Sequence, residues 1–144
     1  MTLNKGGDEL IKPANAKILV VEDLNEMRDI LRRLLGVLGF SNVSTVTNGF
    51  EAWEQLQVQR FDLVLCDWNM PKMSGRELLE KVRSTPELHN LPFIMITGEN
   101  ASDMVRNAIA GGVTDFIVKP FTGALLEHRV KLALGHAQPP VKVI

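Results

Sequence analysis

Short apolar runs and amphipathic stretches alternate along most of this chain. Five of the runs have the length and content of β-strands, and they lie at 18–21, 43–46, 61–67, 92–97 and 114–118. The first run, Ile18–Val21, and the third, Phe61–Asp67, are almost unbroken by polar residues. Near-continuous apolar strands are typical of a sheet that is buried on both faces.

Between and after these runs, apolar residues recur at the three- and four-residue spacing of an amphipathic helix. The first such stretch has its apolar positions at Met27, Ile30, Leu31, Leu34, Leu35 and Leu38, with Gly39 as the expected helix end. Four further stretches have theirs at Ala52, Trp53 and Leu56; at Leu78, Leu79 and Val82; at Met104, Val105, Ala108 and Ile109; and at Leu125, Leu126, Val130 and Ala133. Strict strand–helix alternation predicts an α/β fold, a parallel sheet with helices on both faces.

The regular alternation also suggests how the chain is organised. Its 144 residues are the usual length of one domain. Residues 1–16 are polar and include a Gly-Gly pair, so we predict a flexible leader there. We assign residues 17–136 to the domain and residues 137–144 to a tail.

Composition and charge narrow the classes of function. The chain is 45% hydrophobic and 23% charged, as ordinary globular proteins are. Its formal net charge of −1 gives no electrostatic reason to expect nucleic acid or an anionic membrane as a partner. No apolar stretch approaches the ~20 residues that span a bilayer, and the single cysteine fits a reducing compartment. A cytoplasmic protein is therefore expected.

Polar side chains stand at the ends of four predicted strands. Glu22–Asp23 follows the first strand, Asp67 ends the third, Thr97 ends the fourth and Lys119 follows the fifth. In doubly wound parallel sheets, ligands bind beyond the carboxyl ends of the strands. We therefore expect three carboxylates and one ammonium group to meet at this edge of the sheet.

Such a cluster of carboxylates needs a cation. Two unit charges ~4 Å apart repel by ~4 kcal/mol at an effective dielectric of ~20, and Lys119 alone cannot neutralise three acids. Open, all-oxygen sites suit Mg²⁺. A metal and a lysine beside a carboxylate form an arrangement for phosphoryl transfer. The Thr97 hydroxyl and the Gly98 amide could hydrogen-bond a phosphoryl oxygen.

Each of these residues also has an ordinary structural explanation. Glu22–Asp23 could be acids at a solvated helix start, where the helix dipole favours them. Asp67 could be a turn residue before a Pro/Gly loop, and Lys119 a surface charge. All three explanations together require independent coincidences at one sheet edge, which favours a functional site.

Four motifs in order resemble the receiver (CheY-like) domain of bacterial two-component response regulators. They are Val20–Asp23, Asp67–Pro71 with Gly75, Ile96–Gly98 and Lys119–Phe121, and the resemblance covers roughly residues 17–136. It implies a flavodoxin-like, doubly wound, five-stranded parallel sheet of strand order 2-1-3-4-5. It also implies a phosphorylation-activated signalling switch rather than an enzyme acting on external substrates.

The resemblance further implies roles for particular residues. Asp67 would accept a phosphoryl group from a histidine kinase, a phosphotransfer protein or a small phosphodonor, and the only catalysis would be this phosphotransfer and autodephosphorylation. The implied Mg²⁺ ligands are Asp23 and Asp67 directly, Glu22 through water and the backbone carbonyl of Asn69. Lys119 and Thr97 would contact the phosphoryl group.

A second set of implied roles concerns the output. Thr97 and Phe116 would form the switch, and the surface of the fourth helix, fifth strand and fifth helix would report the state to an unknown partner. Asn69 and Glu99 match positions that tune dephosphorylation.

Three other functions would be compatible with an α/β fold of this kind. A flavodoxin-like FMN carrier needs a Gly-rich phosphate cradle, whereas Glu22–Asn25 would repel a phosphate that lacks a metal. A metal-dependent phosphohydrolase typically has a second Asp two residues after its nucleophile, where this chain has Asn69. A binding-only pseudo-receiver would usually have lost an acid or the lysine, and Asp67 and Lys119 are both present.

Overall fold

A computed structural model describes residues 12–98 and 102–135 of the chain, with the backbone alone at 102–104. Five parallel strands form one sheet in the order β2-β1-β3-β4-β5. The strands are β1 Lys17–Val21, β2 Asn42–Val46, β3 Leu63–Asp67, β4 Phe93–Thr97 and β5 Asp115–Val118. The predicted fold class and strand order are therefore confirmed.

Five α-helices connect and follow these strands. They are α1 Asn25–Val37, α2 Gly49–Val58, α3 Gly75–Arg83, α4 Ser102–Ala110 and α5 Gly123–Ala133. A short 3-10 helix, Pro86–Leu88, precedes β4 and has no counterpart in the sequence-based prediction. Within the described ranges, no helix has both the length and the apolar character needed to cross a bilayer.

The helices form one layer on each side of the sheet, and each layer encloses a core. The core under α2, α3 and α4 contains Ala52, Leu56, Leu78, Leu79, Val82 and Ala108 together with the strand residues Leu19, Val64, Cys66, Phe93 and Met95. The core under α1 and α5 contains Leu31, Leu35, Leu126 and Val130 together with Ile18, Val20, Leu63, Leu65, Ile94 and Ile96. Successive strand residues thus face opposite cores, which explains why the three central strands, β1, β3 and β4, are apolar at nearly every position.

Two apolar residues that the spacing assigned to buried helix faces are exposed. Ile30 on α1 is 46% exposed and Ile109 on α4 is 59% exposed, so those two predictions were wrong. Each is a chain neighbour of a buried residue, Leu31 and Ala108 respectively. One residue turns the helix by about 100°, which takes Ile30 and Ile109 away from the sheet.

The third strand begins two residues later than its apolar run predicts. Asp62 lies outside β3 and bridges to the start of β1 instead. Its carboxylate accepts a hydrogen bond of 2.8 Å from the backbone N–H of Lys17, and its own N–H donates to the carbonyl of Lys17 at 2.7 Å. This bridge holds the amino ends of β1 and β3 together.

Part of the segment that we assigned to the leader belongs to the folded core. Residues 13–15 form a turn, and the N–H of Ala16 donates to the carbonyl of Lys12 at 3.1 Å. Ala16 is fully buried in the core under α1 and α5. The chain therefore contacts this core before β1 begins.

Candidate functional site

The sheet brings the sequence-predicted polar residues to its carboxyl edge. Glu22 directly follows β1, Asp67 and Thr97 are the last residues of β3 and β4, and Lys119 directly follows β5. The parallel register pairs Asp67 with Ile96 and Thr97 with Val118, so the strand ends are level with one another. One oxygen from each of Glu22, Asp23 and Asp67 lies within 4.8 Å of the others.

Glu22 is the most buried of these acids, with only 1% of the residue exposed. One of its carboxylate oxygens accepts a hydrogen bond from the backbone N–H of Leu24 at 3.2 Å. The other lies 3.3 Å from the Nζ of Lys119. Burial, together with the negative charge of Asp67, raises the pKa of Glu22 to about 7, although the Leu24 amide and Lys119 oppose this.

The Asp67 carboxylate is held in a similar environment. Its side chain is 11% exposed, and one oxygen lies 3.9 Å from the Nζ of Lys119. Burial raises the pKa of Asp67 and the charge of Asp23 adds to this, while Lys119 and the backbone amides of Trp68 and Asn69 act in the opposite direction. Burial is therefore the main reason that the Asp67 carboxyl binds a proton more tightly than a free aspartate does.

The charges at the site indicate that it fits Mg²⁺. Oxygens of three carboxylates cluster here, and within the described ranges one ammonium, that of Lys119, pairs with two of them, 3.3 Å from Glu22 and 3.9 Å from Asp67. All the available ligand atoms are hard oxygens, which Mg²⁺ prefers. Glu22, Asp23 and Asp67 are the residues that could hold such an ion.

The loop after Asp67 folds back tightly on the strand that it leaves. The N–H of Gly75 donates to the carbonyl of Trp68 at 3.0 Å. A Cβ at position 75 would lie 2.2 Å from the backbone oxygen of Asp67, well inside a van der Waals contact. Helix α3 then begins with a reciprocal capping box between Ser74 and Glu77. The glycine of the motif is therefore needed for the close return of the loop to Asp67.

Thr97 and Lys119 are joined through the backbone. The N–H of Lys119 donates to the carbonyl of Thr97 at 2.7 Å, and Thr97 is only 5% exposed. Phe116 lies opposite Met95 in the β4–β5 register and packs, partly buried, against the core under α2, α3 and α4. The two residues of the predicted switch therefore lie on neighbouring strands.

The two positions assigned to dephosphorylation differ in what the structure describes. Asn69 is exposed and lies two residues after Asp67, on the loop that follows β3. Glu99 lies outside the described residues, so its predicted role stays a prediction.

One contact at the site involves a residue that the sequence analysis did not select. The Arg28 guanidinium, on α1, donates a hydrogen bond of 2.9 Å from Nη1 to the backbone carbonyl of Glu22. The sequence analysis missed this arginine because the spacing of apolar residues in α1 predicts which side chains are buried. It does not predict which polar side chain contacts the preceding loop.

Comparison with known proteins agrees with this geometry. Residues 18–131 match the family model described as the response regulator receiver domain. The chain is 43% identical over 122 residues to chemotaxis protein CheY-3 of Vibrio cholerae. This alignment covers 85% of this chain and 94% of that protein.

Two solved structures resemble this one across most of their length. The chemotaxis response regulator CheY4 of Vibrio cholerae matches with a TM-score of 0.77 and 33% identity, over 83% of this chain and 98% of that one. The receiver domain of a sensor histidine kinase from Pseudomonas aeruginosa matches with a TM-score of 0.78 and 27% identity, over the same shares of 83% and 98%. The latter structure has a magnesium ion coordinated in its active site cleft.

Proposed function

This chain belongs to the response regulator receiver domain family, and from that premise we propose that Asp67 is its phospho-acceptor. The chain is a phosphorylation-activated switch of a two-component system. The observation that supports Asp67 is the cluster at the strand ends, where oxygens of three acids lie within 4.8 Å and the Lys119 ammonium is 3.9 Å from Asp67.

The proposed step is a phosphoryl transfer from a phosphohistidine of a histidine kinase or phosphotransfer protein. The P–N bond of the donor breaks, and a P–O bond forms to a carboxylate oxygen of Asp67. The donor nitrogen keeps the electron pair of the broken bond and takes up a proton. Mg²⁺, when bound, offsets negative charge on the transferring group.

The other residues of the chain hold and sense that group. Asp23 and Asp67 supply oxygens directly to the cation, as does the backbone carbonyl of Asn69, and Glu22 contacts it through water. Lys119 exchanges its contact with the free carboxylates for a contact with the phosphoryl oxygens. Thr97, at the end of the adjacent strand, donates a hydrogen bond to the same group.

The signal then passes from the site to a protein surface. We assign Thr97 and Phe116 to this step, because they lie on the adjacent strands β4 and β5. The face formed by α4, β5 and α5 contacts the output partner in this proposal, and Asn69 with Glu99 sets the phosphoryl lifetime.

We place the protein in the cytoplasm, with residues 17–136 as the receiver domain.

The decisive experiment is phosphorylation by a small acyl phosphate. We expect intact-mass analysis to show one added phosphoryl group when Mg²⁺ is present and none when the metal is chelated. Asp67→Asn should abolish the adduct. Asp62→Asn is the matched control: it removes a carboxylate next to the amino end of the same strand and should leave labelling intact.

A wild-type protein that gains no phosphoryl group, under conditions in which another receiver domain is labelled, would overturn the proposal. Equal labelling of Asp67→Asn and wild type would show that another residue is the acceptor.

A further inference from the structure

We propose that Arg28 is a positioning residue for the metal site. Its guanidinium holds the loop between β1 and α1, which carries Glu22 and Asp23, in the conformation that presents both acids. This inference rests on the proposed function, since it concerns the same acidic cluster, and it adds a residue to which no role has yet been given.

The geometry is that of a fork with two hydrogen bonds. Nη1 of Arg28 donates to the carbonyl oxygen of Glu22 at 2.9 Å, and Nη2 donates to the side-chain oxygen of Asn25. The planar guanidinium thus connects Glu22, which precedes Asp23, to Asn25, the first residue of α1. Arginine is suited to this because its donors are rigidly arranged, whereas a lysine ammonium is a point charge on a flexible stem.

Other contacts also restrain the loop. The N–H of Arg28 donates to the carbonyl of Leu24 at 2.9 Å, and the Lys119 ammonium lies 3.3 Å from the Glu22 carboxylate. Leu24 occupies the N-cap position of α1 and makes no side-chain capping hydrogen bond. The N–H of Glu22 donates to Val46 at 3.1 Å, and the N–H of Leu24 donates to the Glu22 carboxylate at 3.2 Å. The Glu22 carbonyl belongs to the peptide that joins Glu22 to Asp23, so its orientation helps to set the directions of both side chains. Arg28 is the side chain that anchors this carbonyl.

Electrostatics makes the arginine an unexpected residue here. A positive charge near the N-terminus of α1 opposes the helix dipole, and a positive charge near an acidic cluster competes with a bound cation. If Arg28 acted through its charge alone, removing it would strengthen Mg²⁺ binding. If it acts by holding the loop, removing it weakens Mg²⁺ binding. The two explanations predict changes of opposite sign.

The test is a Mg²⁺ titration of Arg28→Gln and Arg28→Lys, monitored by tryptophan fluorescence in a Trp53→Phe background. The signal then comes from Trp68, which adjoins Asp67 and is 8% exposed. We expect both variants to bind Mg²⁺ about tenfold more weakly, at the low end of the range for residues that orient metal ligands. Arg28→Lys should not restore affinity, because it keeps the charge and loses the fork. Arg32→Gln is the matched control, since Arg32 lies one turn further along α1 and contacts Thr45 instead of the loop.

A second measurement separates positioning from general destabilisation. In metal-free protein, the amides of Asp23 and Leu24 should exchange hydrogen faster in Arg28→Gln than in wild type, while the urea midpoint stays within experimental error. If Arg28→Gln does not fold, Asn25→Ala replaces it: this variant removes one arm of the fork, and Mg²⁺ binding should weaken by a smaller factor.

Affinity that is unchanged or increased in the variants, or equally reduced in Arg32→Gln, would overturn the inference. A wild-type protein that neither responds to Mg²⁺ nor gains a phosphoryl group would instead contradict the proposed function itself. The two failures are therefore distinguishable.

Discussion

Glu22 and Asp67 are two largely buried acids, and their burial determines how the site responds to pH. Lys119 lies 3.3 Å from Glu22 and 3.9 Å from Asp67, so its ammonium partly offsets the effect of burial on both acids. Burial then favours the protonated form of both carboxyls, which raises the pKa of each. In the metal-free site protons and a cation therefore compete for the same carboxylate oxygens.

The raised pKa of buried Glu22 predicts that the metal-free protein is more stable at pH 5 than at pH 8. The pKa of Glu22 rises from 4.5 to about 7, so the folded state binds the proton more tightly and loses stability as pH rises through that interval. We expect a difference on the order of 2 kcal/mol in urea unfolding with chelator. Mg²⁺ should stabilise the protein more at pH 8.

Glu22→Gln is the control for this pH dependence. It keeps the size of the side chain and removes the proton-binding group, so the difference in unfolding free energy between pH 5 and pH 8 should shrink. A profile that is the same in wild type and Glu22→Gln would show that Glu22 does not titrate in this interval.

Lys119 gives a second prediction at the residue scale. Because its ammonium contacts the acids that would bind a cation, Lys119→Ala should bind Mg²⁺ at least as tightly as wild type in a fluorescence titration. It should nevertheless fail to reach the activated conformation after phosphorylation, since the phosphoryl group loses its partner. Loss of Mg²⁺ binding in Lys119→Ala would contradict the role assigned to this residue.

At the scale of elements, the β3–α3 loop is the segment that sets the position of Asp67. The return of Gly75 to the backbone of Trp68 and Asp67 leaves no room for a side chain. The capping box of Ser74 and Glu77 fixes where α3 begins. The strand, the tight loop and the capped helix together hold Asp67, the proposed acceptor, in place.

We therefore expect Gly75→Ala to destabilise the protein by about 1–3 kcal/mol, as overpacking usually does. Alanine favours a helix over glycine by about 1 kcal/mol, so a net loss would show that the contact with Asp67 dominates. Gly123→Ala, at the start of α5, is the matched control, because its Cβ would lie 3.5 Å from Leu34.

Urea unfolding of the two glycine variants measures this difference, and the labelling rate with acyl phosphate measures displacement of Asp67. Equal stability of Gly75→Ala and Gly123→Ala would contradict the tight return that the structure describes.

At the scale of the whole molecule, one sheet links the proposed phosphorylation site to the proposed output face. Thr97 ends β4 beside Asp67 on β3, and β5 pairs with β4 along its length. Phe116 on β5 is only partly buried against the core under α2, α3 and α4, so it could move without opening that core. This arrangement supports a path from Asp67 to β5 through Thr97.

The predicted switch can be tested by hydrogen exchange before and after phosphorylation. In wild type we expect the exchange rates of amides in α4, β5 and α5 to change. In Thr97→Ala the adduct should still form, but that change should shrink at least severalfold, because the hydroxyl that senses the phosphoryl group is missing. Thr45→Ala, on the opposite edge strand β2, should behave as wild type.

An undiminished response in phosphorylated Thr97→Ala would exclude Thr97 as the sensor. An undiminished response in Phe116→Ala would exclude the aromatic ring as the moving part.

Much of the fold could be predicted because its signals are local. Apolar runs and helical spacing identified the five strands and five α-helices. The signal is clearest in the central strands β1, β3 and β4, because burial on both faces makes nearly every position apolar. The exposure of Ile30 and Ile109 could not be predicted from spacing. Neighbouring residues differ by about 100° around a helix, and only the packed structure shows which of them faces the sheet. The 3-10 helix at Pro86–Leu88 is too short to leave a periodic pattern.

The sequence by itself determined the alternation of elements, and with it the acids and the lysine that meet at one edge of the sheet. Both follow from residue type and spacing, together with the rule for parallel sheets. Only the tertiary structure decided that Lys119 lies nearer to Glu22 than to Asp67 and that Arg28 holds the Glu22 carbonyl. Those contacts depend on the path of loops between separate elements, and periodicity along the chain carries no information about distances of a few ångströms.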